Sequence, residues 1–166
     1  IYEIMVNDDE LPVFACPADL TVATDSASCE AVLEGLSSGV SDNCELASVT
    51  YSVTGDAVFS DTLDISGEVL PPGVYTVTYR AEDIHGNIDS CSFDLTISDQ
   101  ENPFLSCFAG DTTVMADPGA INAPVFFVPD STSDNCGVID TTIILQGATS
   151  DTLSGALDAN LNLGTT

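Results

Sequence analysis

The stretch Gly73-Val-Tyr-Thr-Val-Thr-Tyr-Arg-Ala-Glu-Asp83 decides the fold class of this chain of 166 residues. Apolar and polar side chains alternate along it, and this period of two is typical of a strand with one buried face. The same alternation occurs in residues 48–54 and 91–98. Segments rich in Gly, Pro, Asn and Asp separate the alternating stretches, as expected of turns. The pattern predicts an all-β chain.

One segment, Ser28–Glu34, has a helix-like spacing of apolar residues. Its counterpart further along the chain is residues 120–128, which contain Pro124 together with aromatic and β-branched residues. An internal proline and such side chains favour a strand over a helix. We therefore expect strands in both segments.

An internal repeat of about 91 residues runs through the chain. Asp99–Cys107 aligns with Asp8–Cys16, and Ser133–Cys136 aligns with Ser41–Cys44. Short strands in this arrangement predict tandem immunoglobulin-like antiparallel β-sandwiches. The second sandwich is expected to lack its last two strands, because the sequence ends before the counterparts of residues 76–98.

The repeat register also predicts the domain boundaries. Residues 8–98 form a complete repeat, and residues 99–166 form an incomplete one. Residues 1–7 align with the last strand of the complete repeat, so we expect them to belong to, or to be donated to, another repeat. Either the chain ends are real and strands are exchanged between copies, or the chain is an excerpt of a continuous array.

The charge balance excludes several classes of partner. There are 27 Asp and Glu residues against a single Lys or Arg, which gives a formal net charge of −26. Nucleic acids and anionic membrane surfaces are bound through clustered Lys and Arg, so neither is an expected partner. The 44% of hydrophobic residues are enough for a core. No run of 18 or more apolar residues occurs, so membrane insertion is not expected.

Several motifs in the first repeat together resemble the hyalin repeat, or HYR domain. They are Asp8-x-Glu-x-Pro12, Cys16-Pro17, Ser41-Asp-Asn-Cys44, the stretch from Pro72 to Asn87, and Cys91-Ser-Phe93. The resemblance implies an immunoglobulin-like fold and an extracellular or cell-surface location, in a protein secreted by a bacterium. It also implies adhesion rather than catalysis.

Six cysteines without a C-x-x-C pair indicate disulfides in an oxidising compartment. Sequence alone leaves their connectivity open. The resemblance to the HYR domain favours Cys16–Cys91 together with Cys29–Cys44. The alternative is Cys16–Cys44 with Cys29–Cys91, and it gains support because the second repeat retains only Cys107 and Cys136, which would then pair.

Acidic residues cluster in segments that an immunoglobulin-like fold would bring to one pole. Carboxylate and amide oxygens are the ligands that Ca²⁺ requires, so we formulate the hypothesis of calcium sites at the junctions between repeats. The alternative is that these residues only make turns and caps. The first site would use Asp8, Asp9, Glu10, Asp42 and Asp83, and the second Asp99, Glu101 and Asp134.

No catalytic residues are expected. His85, the only histidine, shares one short loop with Asp83 and Ser90, and so no independently oriented base is available. We therefore expect a non-enzymatic structural unit of an extracellular fibre or rod whose partners are copies of itself. Tyr2, Ile4 and Val6 would form the assembly strand. The alternative function is an adhesive module that binds a surface glycan or a protein.

Overall fold

The computed structural model describes residues 2–107, 113–127, 131–138, 140–145, 151–154 and 157–162. These residues form strands and no helix, which confirms the predicted all-β class. The chain divides into two compact units, Ile1–Gln100 and Glu101–Thr166. Each unit is described by itself.

The first unit contains a five-stranded sheet and a two-stranded sheet. The strands of the larger sheet are β1 (Leu20–Ala23), β3 (Leu46–Gly55), β4 (Phe59–Thr62), β6 (Gly73–Asp83) and β7 (Ile88–Ser98). Their order across the sheet is β1-β7-β6-β3-β4. The smaller sheet pairs β2 (Ala31–Val32) with β5 (Val69–Leu70) in antiparallel direction. Further hydrogen bonds between the backbones of Leu33 and residues 67–68 prolong this pairing.

The two sheets enclose one hydrophobic core, so the first unit is a β-sandwich. The predicted alternation is confirmed in β6 and β7, where every second side chain is buried from Tyr75 to Asp83 and from Phe93 to Ile97. Removal of such apolar side chains from water supplies most of the folding free energy, at roughly 1.5–3 kcal/mol for each large one. The core residues are Ala31, Leu33, Leu36, Tyr51, Val53, Ile65, Leu70, Tyr75, Val77, Tyr79, Phe93, Leu95 and Ile97.

One strand pair departs from the predicted antiparallel arrangement. Strand β1 runs parallel to β7, with Leu20 opposite Leu95 and Ala23 opposite Ser98. Parallel neighbours need a long connection between them, and residues 24–87 provide one that passes through both sheets. The expectation of a purely antiparallel sandwich is therefore wrong for this edge of the larger sheet.

Two tyrosine hydroxyls on β6 fix the loops that cross between the sheets. Tyr75 donates a hydrogen bond of 2.8 Å to the carbonyl of Pro71, four residues upstream. This contact is the tyrosine corner typical of immunoglobulin-like sandwiches. The hydroxyl of Tyr79 is buried; it donates to the carbonyl of Leu36 and accepts from the backbone N–H of Ile65.

The segments with ambiguous sequence signals are strands, as expected. In Ser28–Glu34 the strand is limited to β2, and two short backbone hydrogen bonds close a turn just before it at residues 25–30. In residues 120–128 the strand is β9 (Asn122–Phe127), which includes Pro124.

The second unit consists of three antiparallel strand pairs in the part of it that the structure describes. Strand β8 (Phe104–Ser106) pairs with β10 (Ser131–Ser133), and β9 pairs with β13 (Leu157–Asn162). The third pair is β11 (Thr142–Leu145) with β12 (Asp151–Ser154).

The favoured disulfide between Cys16 and Cys91 is confirmed, with the two Cα atoms 6.1 Å apart. It ties the segment before β1 to β7, across a sequence separation of 75 residues. A bond of this kind restricts the unfolded chain and is typically worth ~2–4 kcal/mol.

The remaining disulfide predictions that involve Cys44 and Cys107 are wrong, because both carry free, exposed thiols. Cys29 lies in the turn of residues 25–30, which follows Thr24, and the N–H of Thr24 bonds to the carbonyl of Ser98 at the end of β7; Cys44 precedes β3 near the other end of β7. An eleven-residue strand is roughly 36 Å long, and a disulfide needs Cα atoms within about 7 Å. Cys29–Cys44 is not formed, and neither are the alternative pairs Cys16–Cys44 and Cys29–Cys91, because Cys91 is bonded to Cys16. The alternative pairing of Cys107 with Cys136 is likewise not formed.

Candidate metal centre

Three carboxylates from distant parts of the first unit meet at one pole of the sandwich. Asp8 lies in the segment before β1, Asp42 in the loop before β3, and Asp83 at the end of β6. One oxygen from each of the three side chains lies within 4.8 Å of the other two. The structure thus brings together three of the residues named in the calcium hypothesis.

Asp83 is almost fully buried, with 2% of its surface exposed, and it holds the turn between β6 and β7. Its Oδ1 accepts hydrogen bonds of 2.8 Å from the backbone N–H groups of His85 and Asn87, and Oδ2 accepts one of 2.7 Å from Asn87 Nδ2. Burial raises the pKa of Asp83, but these hydrogen bonds from Asn87 and His85 outweigh it, so the pKa is lowered. The carboxylate is therefore ionised at neutral pH.

Asp8 is held by both neighbouring loops. Its Oδ1 accepts 3.2 Å hydrogen bonds from Asn43 Nδ2 and from the backbone N–H of Glu10. Its backbone carbonyl accepts another from Asn87 Nδ2, also at 3.2 Å. Only 8% of the side chain is exposed, yet Oδ2 has no hydrogen-bond partner within the chain. His85 Nδ1 lies 3.4 Å from Oδ2 but without hydrogen-bond geometry.

Asp42 forms a local turn that leaves its second oxygen unused. Its Oδ2 accepts a 2.9 Å hydrogen bond from the backbone N–H of Cys44. Its Oδ1 is buried and has no partner. In the second unit, Asp134 repeats this geometry: Oδ2 accepts from the N–H of Cys136 at 3.2 Å, and Oδ1 is buried without a partner.

Cys44 and His85 lie beside the cluster and were not predicted as part of it. The Cys44 thiol, a His85 ring nitrogen and an Asp8 oxygen also lie within 4.8 Å of one another. Interaction with the Asp8 carboxylate raises the pKa of Cys44 to about 11, and the same contact lowers the pKa of Asp8. Cys44 was expected in a disulfide, and its position beside Asp8 and His85 was therefore not predicted, although its loop was expected at this pole.

Other residues of the calcium hypothesis lie elsewhere. Asp9 and Glu10 are exposed and outside both groupings, and only the backbone N–H of Glu10 contributes, by its bond to Asp8. Asp99 Oδ1 accepts a 3.4 Å hydrogen bond from the hydroxyl of Thr24. Because Asp99 belongs to the first unit and Glu101 and Asp134 to the second, a site made of all three stays a prediction.

Little positive charge is available to neutralise the cluster. Arg80 is the only Lys or Arg in the chain, and its guanidinium binds the Glu82 carboxylate at 3.0 Å. The carboxylates of Asp8, Asp42 and Asp83 thus repel one another. In this part of the structure, His85 is the only basic side chain near them. A bound cation would relieve that repulsion.

The strand order, the tyrosine corner and the disulfide to β7 define the class of the first unit, an immunoglobulin-like β-sandwich module. The model of the HYR domain matches residues 7–97, more than half of the chain, and the chain therefore belongs to the HYR domain family. Domains of this family are non-catalytic modules of extracellular and cell-surface proteins. The oxidised Cys16–Cys91 pair fits that location. No solved structure matches the chain.

The residues that the structure describes include no helix that is long and apolar enough to cross a membrane.

Proposed function

We propose that this chain is a non-enzymatic structural unit of an extracellular fibre or rod. Copies of the unit join head to tail, with residues 2–7 completing the sandwich of another copy, either as a donated strand or as part of a continuous array. The single observation that carries the proposal is the exposure of this apolar segment. Its side chains find no place in the core of their own unit.

The segment has the pattern of a strand but forms no strand in the part of the chain that the structure describes. Tyr2 is fully exposed, Ile4 is 87% exposed and Val6 is 91% exposed. Large apolar side chains that protrude in a row from one segment mark an interaction site, because their exposure to water is unfavourable.

The alignment indicates what kind of site would bury them. Tyr2-Glu-Ile-Met-Val-Asn7 aligns with Phe93-Asp-Leu-Thr-Ile-Ser98 in β7. At the positions that match Tyr2, Ile4 and Val6, the side chains of β7 are buried in the core, with at most 3% exposed. A strand added to the sheet of another unit would bury the same face and would satisfy the backbone hydrogen-bonding groups of both partners.

Strand pairing in the second unit supports a second copy of the same module as the acceptor. In the first unit Ala31 lies opposite Leu70, and in the second Ala123 lies opposite Leu161. These positions match in the sequence repeat.

A second pair of residues also occupies matching positions in the two units. The bridge between Val13 and Ser41 has its counterpart in the pairing of Phe104 with Ser133. The second unit thus repeats two strand contacts of the first, which supports a surface of the same kind as the acceptor.

The proposal is tested by placing charges on the buried face of the proposed assembly strand. Purified protein would be imaged by electron microscopy and sized by light scattering over a range of concentrations. We expect the double variant Ile4→Asp/Val6→Asp to lose filaments and long rods. The control is Met5→Thr, which lies on the opposite face and aligns with Thr96, and it should assemble like the native chain.

Two outcomes would contradict the proposal. The first is a native chain that stays monomeric at all concentrations, a result that would favour an adhesive module instead. The second is equal assembly of the native chain and the Ile4→Asp/Val6→Asp variant. Intact mass distinguishes the two forms of assembly, because a species near 17.2 kDa means exchange between separate chains.

A further inference from the structure

We propose that Asp8, Asp42 and Asp83 bind one Ca²⁺ ion, which fastens the segment before β1 to the pole of the sandwich. The inference is independent of the proposed assembly. It rests on the convergence of three carboxylates and on buried oxygens among them that have no partner within the chain.

The first step concerns the unpartnered oxygens. Buried polar atoms in folded proteins are nearly always hydrogen-bonded, so an exception points to a ligand or to water. Asp8 Oδ2 is such an exception on a side chain that is only 8% exposed, and Asp42 Oδ1 is a second. Both belong to the group of three side chains with oxygens within 4.8 Å of one another.

The second step concerns the type of ion. Oxygens bound to one ion on opposite sides are separated by about twice the metal–oxygen distance, and this distance is roughly 2.3–2.6 Å for Ca²⁺ and 2.0–2.1 Å for Mg²⁺. The three oxygens lie within 4.8 Å of one another, close enough for one Ca²⁺ ion to contact all of them. Ca²⁺ takes roughly 6–8 oxygen ligands, so water would complete the shell beyond the carboxylates.

The third step concerns rigidity. Hydrogen bonds already fix the ligands: Asn43 and the backbone of Glu10 hold Asp8, the backbone of Cys44 holds Asp42, and Asn87 holds Asp83. Ligands fixed before the ion arrives lose little conformational freedom on binding. Because Asp8 directly follows residues 2–7, the ion would also set the direction in which that segment leaves the sandwich.

A competing arrangement uses the same Asp8 with Cys44 and His85, which together would suit Zn²⁺ rather than Ca²⁺. The Asp42 and Asp83 carboxylates favour the oxygen-only site, since a hard cation prefers oxygen ligands. The two arrangements predict different effects of substitution at Asp42 and at Cys44.

The experiment measures thermal unfolding and calorimetric binding of the full chain in EDTA, CaCl₂, MgCl₂ and ZnCl₂. Extracellular Ca²⁺ modules bind with dissociation constants of about 10⁻⁴–10⁻³ M. At a Ca²⁺ concentration one hundred times the dissociation constant, the ratio of folded to unfolded protein rises about 100-fold. We expect a clear rise in Tm with Ca²⁺ and a smaller one with Mg²⁺.

The decisive variant is Asp42→Asn, which preserves the shape of the side chain and an acceptor for the Cys44 N–H. It should unfold like the native chain in EDTA but lose the binding of one Ca²⁺ and most of the shift in Tm. The matched control is Asp9→Asn, which removes one charge from a neighbouring exposed position and should retain both.

The proposal is overturned if Ca²⁺ neither binds nor raises the Tm of the native chain, or if Asp42→Asn retains the full response. It is also overturned if Zn²⁺ gives the larger response and Cys44→Ser abolishes it. If Asp42→Asn fails to fold, the calorimetric titration of the native chain still decides whether Ca²⁺ binds.

Discussion

The hydroxyl of Tyr79 donates a hydrogen bond to the backbone carbonyl of Leu36, across the core and across 43 residues of sequence. Tyr79 is fully buried on β6, so water is not available to replace this bond. The same hydroxyl accepts a 3.2 Å hydrogen bond from the N–H of Ile65. One side chain thus forms hydrogen bonds with two backbone groups that lie in loops, outside the hydrogen-bonded pairs of strands.

Substitution of Tyr79 by Phe should destabilise the fold by about 1–3 kcal/mol, because the carbonyl of Leu36 and the N–H of Ile65 would be buried without a partner. Chemical denaturation followed by circular dichroism measures the loss. Tyr2→Phe removes a hydroxyl from a fully exposed ring and should leave the free energy of unfolding unchanged. Equal stability of the two variants would show that the buried hydroxyl is not needed.

Replacement of both Cys16 and Cys91 by Ala should lower the free energy of unfolding by ~2–4 kcal/mol, because the bond closes a long loop in the unfolded chain. That loop spans a sequence separation of 75 residues. Urea denaturation under non-reducing conditions provides the measurement. The control is Cys107→Ser, which alters a free, exposed thiol and should be neutral. A stable fold with an unchanged midpoint in the double variant would contradict this expectation.

Acid should weaken the pole that contains Asp8 and Asp83. Both carboxyl groups have a folded-state pKa below the ordinary value of 3.8. A group with a lowered pKa stabilises the folded state above its unfolded pKa, and this contribution is lost as the pH falls through the folded pKa. We therefore expect the urea midpoint to fall steeply once the pH drops below about 3.8.

The contribution of Asp83 is isolated by Asp83→Asn. This variant should be less stable than the native chain at neutral pH, since the charge-assisted hydrogen bonds from Asn87 and His85 are weakened. The urea midpoint of this variant should then depend less on pH than that of the native chain, in the acidic range where the native chain loses stability. Asp9→Asn serves as the control for the loss of one negative charge. The same pH dependence in native and Asp83→Asn chains would show that another group governs the acid transition.

The Cys44 thiol should react slowly with iodoacetamide at pH 8.5, because its pKa is raised to about 11 by interaction with Asp8 and the thiolate is the reactive form. Asp8→Asn should accelerate labelling, by about tenfold for each unit by which the pKa falls. Labelling of the free, exposed Cys107 in the same sample provides an internal reference, and mass spectrometry gives both rates. An unchanged ratio of Cys44 to Cys107 labelling in Asp8→Asn would argue against this interaction.

By itself, the sequence determined which side chains are buried in the strands of the larger sheet. The alternation in Gly73–Asp83 and in residues 91–98 is a local property, because successive side chains of a strand point to opposite faces whatever its neighbours are. The motifs that resemble the HYR domain also correctly indicated the family and the Cys16–Cys91 bond. The positions of Asp8, Asp42 and Asp83 in three junction segments were enough to predict their convergence at one pole.

Only the tertiary structure decided which elements lie next to one another. The parallel pairing of β1 with β7 depends on the path of more than sixty intervening residues, and no local pattern encodes that path. The free thiol of Cys44 is likewise not encoded in any local pattern, and the partners of Tyr79 lie in loops far away in sequence. Periodicity specifies on which face of a strand a side chain lies. Hydrogen bonds, disulfides and ligand groups instead require atoms to lie within a few ångströms of one another, and only the packed chain brings these atoms together.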